Sequence, residues 1–209
     1  VSSPQKILNF LAHAYLSGDH EEVLLGNFVA DSIKGRMADN YSFAFRQGVQ
    51  LHRAIDAFTD SHPLVQACNQ RIQPHFRKFS GVVTDIYFDH FLASGWNNYS
   101  EESLFDFTRR VYALLDKHFD LLPPRSKRII PWMKQQDWLT GYASFDPLSR
   151  VFGGMSRRTS FESGMEQAVE VLKNDYSFLE AHFQQYFPEL MAFSQQFREK
   201  MDLDTNTGG

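Results

Sequence analysis

Residues 82–92 read VVTDIYFDHFL. Valines, isoleucine, tyrosine, phenylalanines and leucine surround almost every side of the stretch, yet it carries Asp85, Asp89 and His90. In a helix, residues four apart project from nearly the same face, so Asp85 and Asp89 form an acidic pair with His90 turned by about 100°. Ionised carboxylates in apolar surroundings need hydrogen bonds, a counter-charge or a metal, or else they take up protons. The segment therefore predicts a helix packed in apolar surroundings and something that compensates its acids.

Outward from this stretch, apolar spacings of three and four recur along the chain, whereas strict alternation never persists, which predicts an all-α fold, a single-domain helical bundle. Helices are expected over 6–17, 21–34, 41–60, 63–78, 80–96, 101–119, 161–186 and 188–200. Gly18, Gly35, Pro63, Pro123 and Pro124 fall between the periodic segments, and Pro188 suits a first-turn position. The segment from about 121 to 160, including LLPPRSKRIIP and GGMSRR, reads as an irregular arm over the bundle, and 202–209 as a frayed tail. No internal repeat or linker divides the chain.

The composition agrees with a packed interior. The chain has 209 residues, 43% hydrophobic and 15% aromatic, and its 20 phenylalanines favour a thick core. The net charge of −4 argues against general attraction to nucleic acid or to an anionic membrane, so an acidic partner has to meet a local basic patch. No run approaches the roughly twenty apolar residues of a membrane span. Lys6 and ILNFLAHAYL have the outline of a secretory leader, but Asn9 and His13 interrupt the apolar run, so a core helix is expected. The single cysteine, Cys68, excludes an internal disulfide and a paired-cysteine zinc site, and suits a reducing cytoplasm.

Three further stretches place polar groups among apolar neighbours. In LHRAIDAFTDSHP, His52, Asp56 and Asp60 recur every four residues along one stripe, and imidazole and carboxylate four apart are able to grip one ion. GNFVAD sets Asn27 and Asp31 four apart, and NFLAH ends in His13. Each has a structural reading as well: a core histidine bonded to a carbonyl, a capping acid, or Asp85 paired with Arg53. Neutral imidazole and carboxylate oxygen suit Mn²⁺, Mg²⁺, Fe²⁺ or Zn²⁺.

The ordered set NFLAH, LLGNFVAD, LHRAIDAFTDSHP, DIYFDHFLASGW and GGMSRR resembles the bacterial acyl carrier protein phosphodiesterases, from about Ile7 to Arg158. The resemblance implies an enzyme that removes 4′-phosphopantetheine from holo-acyl carrier protein with a divalent metal, Mn²⁺ preferred. It further implies an atypical relative of the helical HD-type phosphohydrolases, with the adjacent pair reversed here as Asp89-His90. On the matched positions it points to Asp31, His52, Asp56, Asp89 and His90 around the metal. His13 and Asp85 stand in reserve, and Asp56 or Asp60 is the carboxylate that orients or deprotonates water.

Lys34, Arg53, Arg157 and Arg158 are the candidates for phosphate or partner binding. Acyl carrier proteins are acidic, and Lys34, Arg36, Arg46, Arg53 and the RSKR run at 125–128 are the basic residues available to attract one. The remaining readings are a phosphohydrolase of nucleotides or other small phosphoesters, and a carrier-protein-binding module without catalysis. The sequence is silent on oligomeric state.

Overall fold

The computed structural model describes residues 9–157, 159 and 162–206. Among them are eleven α-helices and no strand: α1 (Phe10–Leu16), α2 (Glu21–Val29), α3 (Phe43–Ser61), α4 (Pro63–Phe76), α5 (Ser80–Ser94), α6 (Leu104–Lys117), α7 (Pro124–Gln135), α8 (Trp138–Gly141), α9 (Phe145–Ser156), α10 (Ala168–Asn174) and α11 (Tyr176–Asn206). The all-α class expected from the periodicity is the class observed.

Helix α5 is the pivot. Every residue from Val82 to Ala93 is buried, as expected for a helix that is apolar on all sides and is enclosed by neighbours. It packs against α1, α4 and α11. Phe88 and Phe91 meet Phe183 of α11 with ring centroids 5.4 and 5.7 Å apart, and the Tyr87 hydroxyl donates to the Ala168 carbonyl at 2.6 Å. Most of the described phenylalanines and Trp96 thus serve the interior, Phe43, Phe105 and Phe178 being exposed, with the Trp96 indole N–H donating to the Glu102 carbonyl at 2.7 Å. Cys68 is fully buried, and burial pushes its thiol up to about 12, which makes it chemically inert at neutral pH.

Helices α2 and α3 approach until their backbones touch, because each presents a glycine at the crossing. A Cβ at Gly26 would lie 2.0 Å from the Phe45 carbonyl oxygen, and one at Gly48 would lie 2.1 Å from that of Val23. Helix α3 begins where the Ser42 hydroxyl oxygen accepts from Phe45 N–H at 3.1 Å. It ends where Pro63 opens α4, with the His62 imidazole accepting from Leu64 N–H at 3.3 Å. The close crossing sets the polar stripe of α3 against the end of α2.

Several boundaries differ from the sequence reading, among them the helix expected from residue 161, whose first α-helical residue is Ala168. The helix expected to run to residue 34 stops at Val29 and continues as two 3-10 segments, Ala30–Ser32 and Gly35–Asn40. The stretch expected to be irregular holds α7, α8 and α9. Ser126, Ile130 and Met133 of α7 and Leu148, Phe152 and Met155 of α9 point inward at helical spacing, and Asp137, in the left-handed region at φ 46°, turns α7 into α8. Prolines and short lengths hid these elements. Finally, α11 runs through Pro188, and the break falls earlier, at Asp175, whose carboxylate takes two bonds from Arg71 at 2.6 and 2.9 Å. Tyr186, Phe187 and Leu190 are buried on either side of Pro188, so packing carries the helix past its missing N–H. Residues 6–8 and 207–209 of the expected first helix and tail lie outside the described residues.

Candidate metal centre

The site is built around His13, buried on α1. Its ring Nδ1 meets the Asn27 side-chain oxygen of α2 at 2.7 Å. The amide cannot be turned round, because its Nδ2 donates to the His13 carbonyl at 3.0 Å and to the Ser17 hydroxyl oxygen at 2.9 Å. Ser17 in turn gives its proton to the His13 carbonyl at 2.7 Å, so it can only accept from the amide. Asn27 therefore presents an acceptor to Nδ1, Nδ1 carries the proton, and the lone pair of the neutral ring sits on Nε2.

That lone pair faces a carboxylate. His13 Nε2 is 3.4 Å from Asp56 Oδ1, and His52 Nε2 is 3.6 Å from Asp56 Oδ2 and 3.4 Å from Asp31 Oδ1. The two imidazoles stack, with centroids 4.0 Å apart and planes at 24°. Ligand atoms of His13, His52 and Asp56 all lie within 4.8 Å of one another. Burial, first, and the neighbouring His52, second, lower the pKa of the His13 imidazole from its ordinary value, against the opposing pull of Asp56 and Asn27. Burial disfavours a proton between Nε2 and Asp56, and the separation also suits a shared cation. Nitrogen and oxygen ligands about 2.1 Å from one ion stand roughly 3–3.5 Å apart, close to the separations found here. The donor set, two imidazole nitrogens and two partly exposed carboxylates, fits a divalent metal.

Asp89 and His90 are not part of this gathering. The two oxygens of Asp89 accept from Leu11 N–H at 3.0 Å and Ala12 N–H at 2.8 Å. These are unpaired donors of the first turn of α1, whose own N-cap, Asn9, makes no side-chain cap bond. Asp89 thus caps α1 from another helix. Burial pushes its carboxyl up to about 8, while the two N–H donors pull it down and the charge of Asp85 adds to the rise. His90 turns to a different side, where its Nδ1 donates to the Tyr142 carbonyl at 2.8 Å and its ring lies against Phe145 and Tyr176. The carbonyl is only an acceptor, so the proton is again on Nδ1.

The remaining candidates fall around the cluster. Asp60 follows Asp56 by one turn on the exposed side of α3, and Asp85 is buried one turn before Asp89. Burial, first, raises the phenol of Tyr186, and the charges of Asp85, Asp56 and Asp60 add to the rise, so the three acids share a neighbourhood. Lys34 and Arg53 are exposed, beside Asp31 and His52 in the chain. Gly153 and Gly154 belong to helix α9 rather than to a phosphate-cradling loop, and Arg157 is exposed at its end. Arg158 lies outside the described residues.

Sequence reasoning gave His13 only a reserve place and noted Asn27 without a role. The one available signal was that Asn27 falls one turn before Asp31 in an otherwise apolar segment.

Fold and site together define an all-α protein with a cluster of buried imidazoles and partly exposed carboxylates of the kind that holds a divalent cation. The chain belongs to the acyl carrier protein phosphodiesterase family, whose pattern matches residues 8–190. It is 31% identical over 194 residues to the acyl carrier protein phosphodiesterase of Serratia proteamaculans, covering 92% of this chain and 99% of that one. It is 30% identical over 185 residues to the protein of the same name from Photorhabdus laumondii, covering 88% and 93% of the two chains. The Enterobacter protein of that name is also 30% identical over 185 residues, covering 88% and 96%. No solved structure matches significantly, so the HD-type kinship rests on the sequence resemblance alone. Among the described residues no helix is long and apolar enough to cross a membrane.

Proposed function

We propose that this chain hydrolyses the phosphodiester joining 4′-phosphopantetheine to the serine of holo-acyl carrier protein, releasing the apo form. His13, His52 and Asp56 would hold a divalent cation, Mn²⁺ by preference, with Asp31 as a further ligand. The observation that carries this reading is the His13 Nε2 lone pair, held against Asp56 by the Asn27 contact on the other side of the ring. The names of the relatives support the substrate.

A divalent cation supplies Lewis acidity to a phosphoryl oxygen and acidifies the attacking water. The chain's own residues do the rest. Asp56 approaches the Nε2 atoms of both imidazoles and would hold the cation together with them, while burial disfavours protonation of His13 and leaves its lone pair to donate. Asp60, on the exposed side of the same helix, is the carboxylate for taking the proton of the attacking water. Arg53 and Lys34 supply positive charge to the non-bridging oxygens. Water oxygen bonds to phosphorus, the bond from phosphorus to the serine oxygen breaks, and that oxygen regains a proton. A cytoplasmic setting accords with the single buried thiol of Cys68.

The test is to incubate the purified chain with holo-acyl carrier protein, with Mn²⁺ or with chelator, and to weigh the carrier by mass spectrometry. Loss of the phosphopantetheine mass only in the Mn²⁺ arm is expected. An unchanged carrier in every arm refutes the activity, and turnover of small phosphoesters without the carrier would transfer the site to another substrate.

A further inference from the structure

We propose that the outward face of α7 is the docking surface for the acidic carrier protein, with Arg125, Arg128 and Trp132 as its contacts and Lys34 and Arg53 extending the positive surface beside the cluster. The proposal rests on the reading of substrate above.

The basic residues sort into two sets. Arg36 is paired with Asp39 at 3.2 Å, Arg46 donates to the Tyr41 carbonyl at 3.0 Å, and Lys127 donates to the Asp120 carbonyl at 2.8 Å. Lys34, Arg53, Arg125 and Arg128 have no such partner among the described residues. Arg125 and Arg128 stand on α7 at positions i and i+3, and Trp132 follows at i+7 on the same face. Trp132 is 57% exposed, an unusual position for so large an apolar side chain. The opposite face of α7, Ser126, Ile130 and Met133, is buried. The helix is thus fastened on one side and presents arginine and tryptophan on the other.

The fastening ties α7 to the metal cluster. The Ser126 hydroxyl donates to that of Ser32 at 2.9 Å, and Ser32 follows Asp31 in the same 3-10 turn. A protein seated on α7 therefore docks beside the element that carries one carboxylate of the site. The chain as a whole is acidic, at −4, so an acidic partner is repelled except where unpaired cations gather. Arginine and tryptophan are also the side chains that concentrate binding energy at protein interfaces.

The experiment compares the wild-type chain with Arg125→Glu/Arg128→Glu, with Trp132→Ala, and with Lys200→Glu, an exposed charge on α11, as a control outside α7. Holo-carrier turnover is measured over a range of carrier concentrations, a small chromogenic phosphodiester serves as second substrate, and apo-carrier binding is followed by surface plasmon resonance. The double charge reversal is expected to raise KM for the carrier about tenfold or more and to weaken apo-carrier binding in parallel, with kcat, small-diester turnover and circular dichroism unchanged. Trp132→Ala raises KM in the same direction, and Lys200→Glu leaves it alone. Wild-type turnover of the carrier with an unchanged KM in the α7 variants overturns the docking surface and spares the activity. Absence of any wild-type action on the carrier or affinity for it removes both. Loss of flotation with anionic phospholipid vesicles in the double variant, with carrier KM intact, assigns the stripe to a membrane surface and likewise overturns the proposal.

Discussion

His13 and Asn27 lie on successive helices, and the imidazole Nδ1 donates to the amide oxygen across 2.7 Å. This single contact decides which ring nitrogen is available to an ion. Partners that fix a ligating histidine in this way also set its basicity, and their loss weakens metal sites roughly 10–100-fold. Asn27→Leu is therefore expected to lower Mn²⁺ affinity by about that factor, read by electron paramagnetic resonance titration. The ¹⁵N shifts of the His13 ring report the accompanying loss of a single tautomer. Asn27→Asp, which retains an acceptor for Nδ1, recovers part of the affinity; equal losses in both variants would refute the tautomer argument.

Asp56 approaches both imidazoles, whereas Asp31 approaches only His52. Asp56→Asn is expected to abolish Mn²⁺ binding and turnover, and Asp31→Asn to weaken binding by a smaller factor. Isothermal titration measures both, and helical circular dichroism checks that the large aromatic core keeps the fold. A reversed order would show that Asp31 is the principal carboxylate.

Asp89 satisfies two donors at the start of α1 with two oxygens, and an asparagine there has only one acceptor to give. Asp89→Asn leaves a buried N–H facing an NH₂ group and is expected to cost about 1–3 kcal/mol in a urea melt. The pH dependence carries its own sign. The folded carboxyl is raised from 3.8 to about 8, so the folded state binds the proton more tightly than the unfolded chain, and the contribution of Asp89 is fully present below pH 3.8 and lost as pH rises through about 8. Asparagine does not titrate, so the deficit of the variant narrows between pH 5 and pH 8 on the scale of roughly 1 kcal/mol per unit. A deficit that widens over that range would place a charged Asp89 at the helix end.

The crossing of α2 and α3 leaves no room for a methyl group at either glycine, and the obstacle is backbone rather than a movable side chain. Gly48→Ala is expected to lower stability by about 1–3 kcal/mol or more as the helices are forced apart. Because His52 and Asp56 ride on α3 and Asn27 on α2, Mn²⁺ affinity should fall in the same variant. Calorimetry and metal titration together check the coupling; intact metal binding in a destabilised Gly48→Ala chain would show that the site tolerates the shift.

What the linear chain determined by itself is local. The three-four spacing of apolar residues settles the helical class, because burial of one face or of a whole helix follows from where side chains project at 3.6 residues per turn. The same geometry puts His52 and Asp56 side by side on α3, and it marks the acids of α5 as groups in need of partners. The partners themselves were decided only in three dimensions. Asp89 and His90 are neighbours in the chain, yet one caps α1 and the other turns to Tyr142, because adjacent helical residues diverge by about 100° and meet different helices. His13 joins His52 through the packing of α1 and α2 against α3, which the glycine crossing permits and no periodicity announces. Helix α7 was hidden for a related reason: with prolines at its first position and in its interior, its helical state depends on burying Ser126, Ile130 and Met133 against the rest of the protein. Intrinsic propensity acts within a few residues, whereas convergence of distant side chains is a property of the whole packed core.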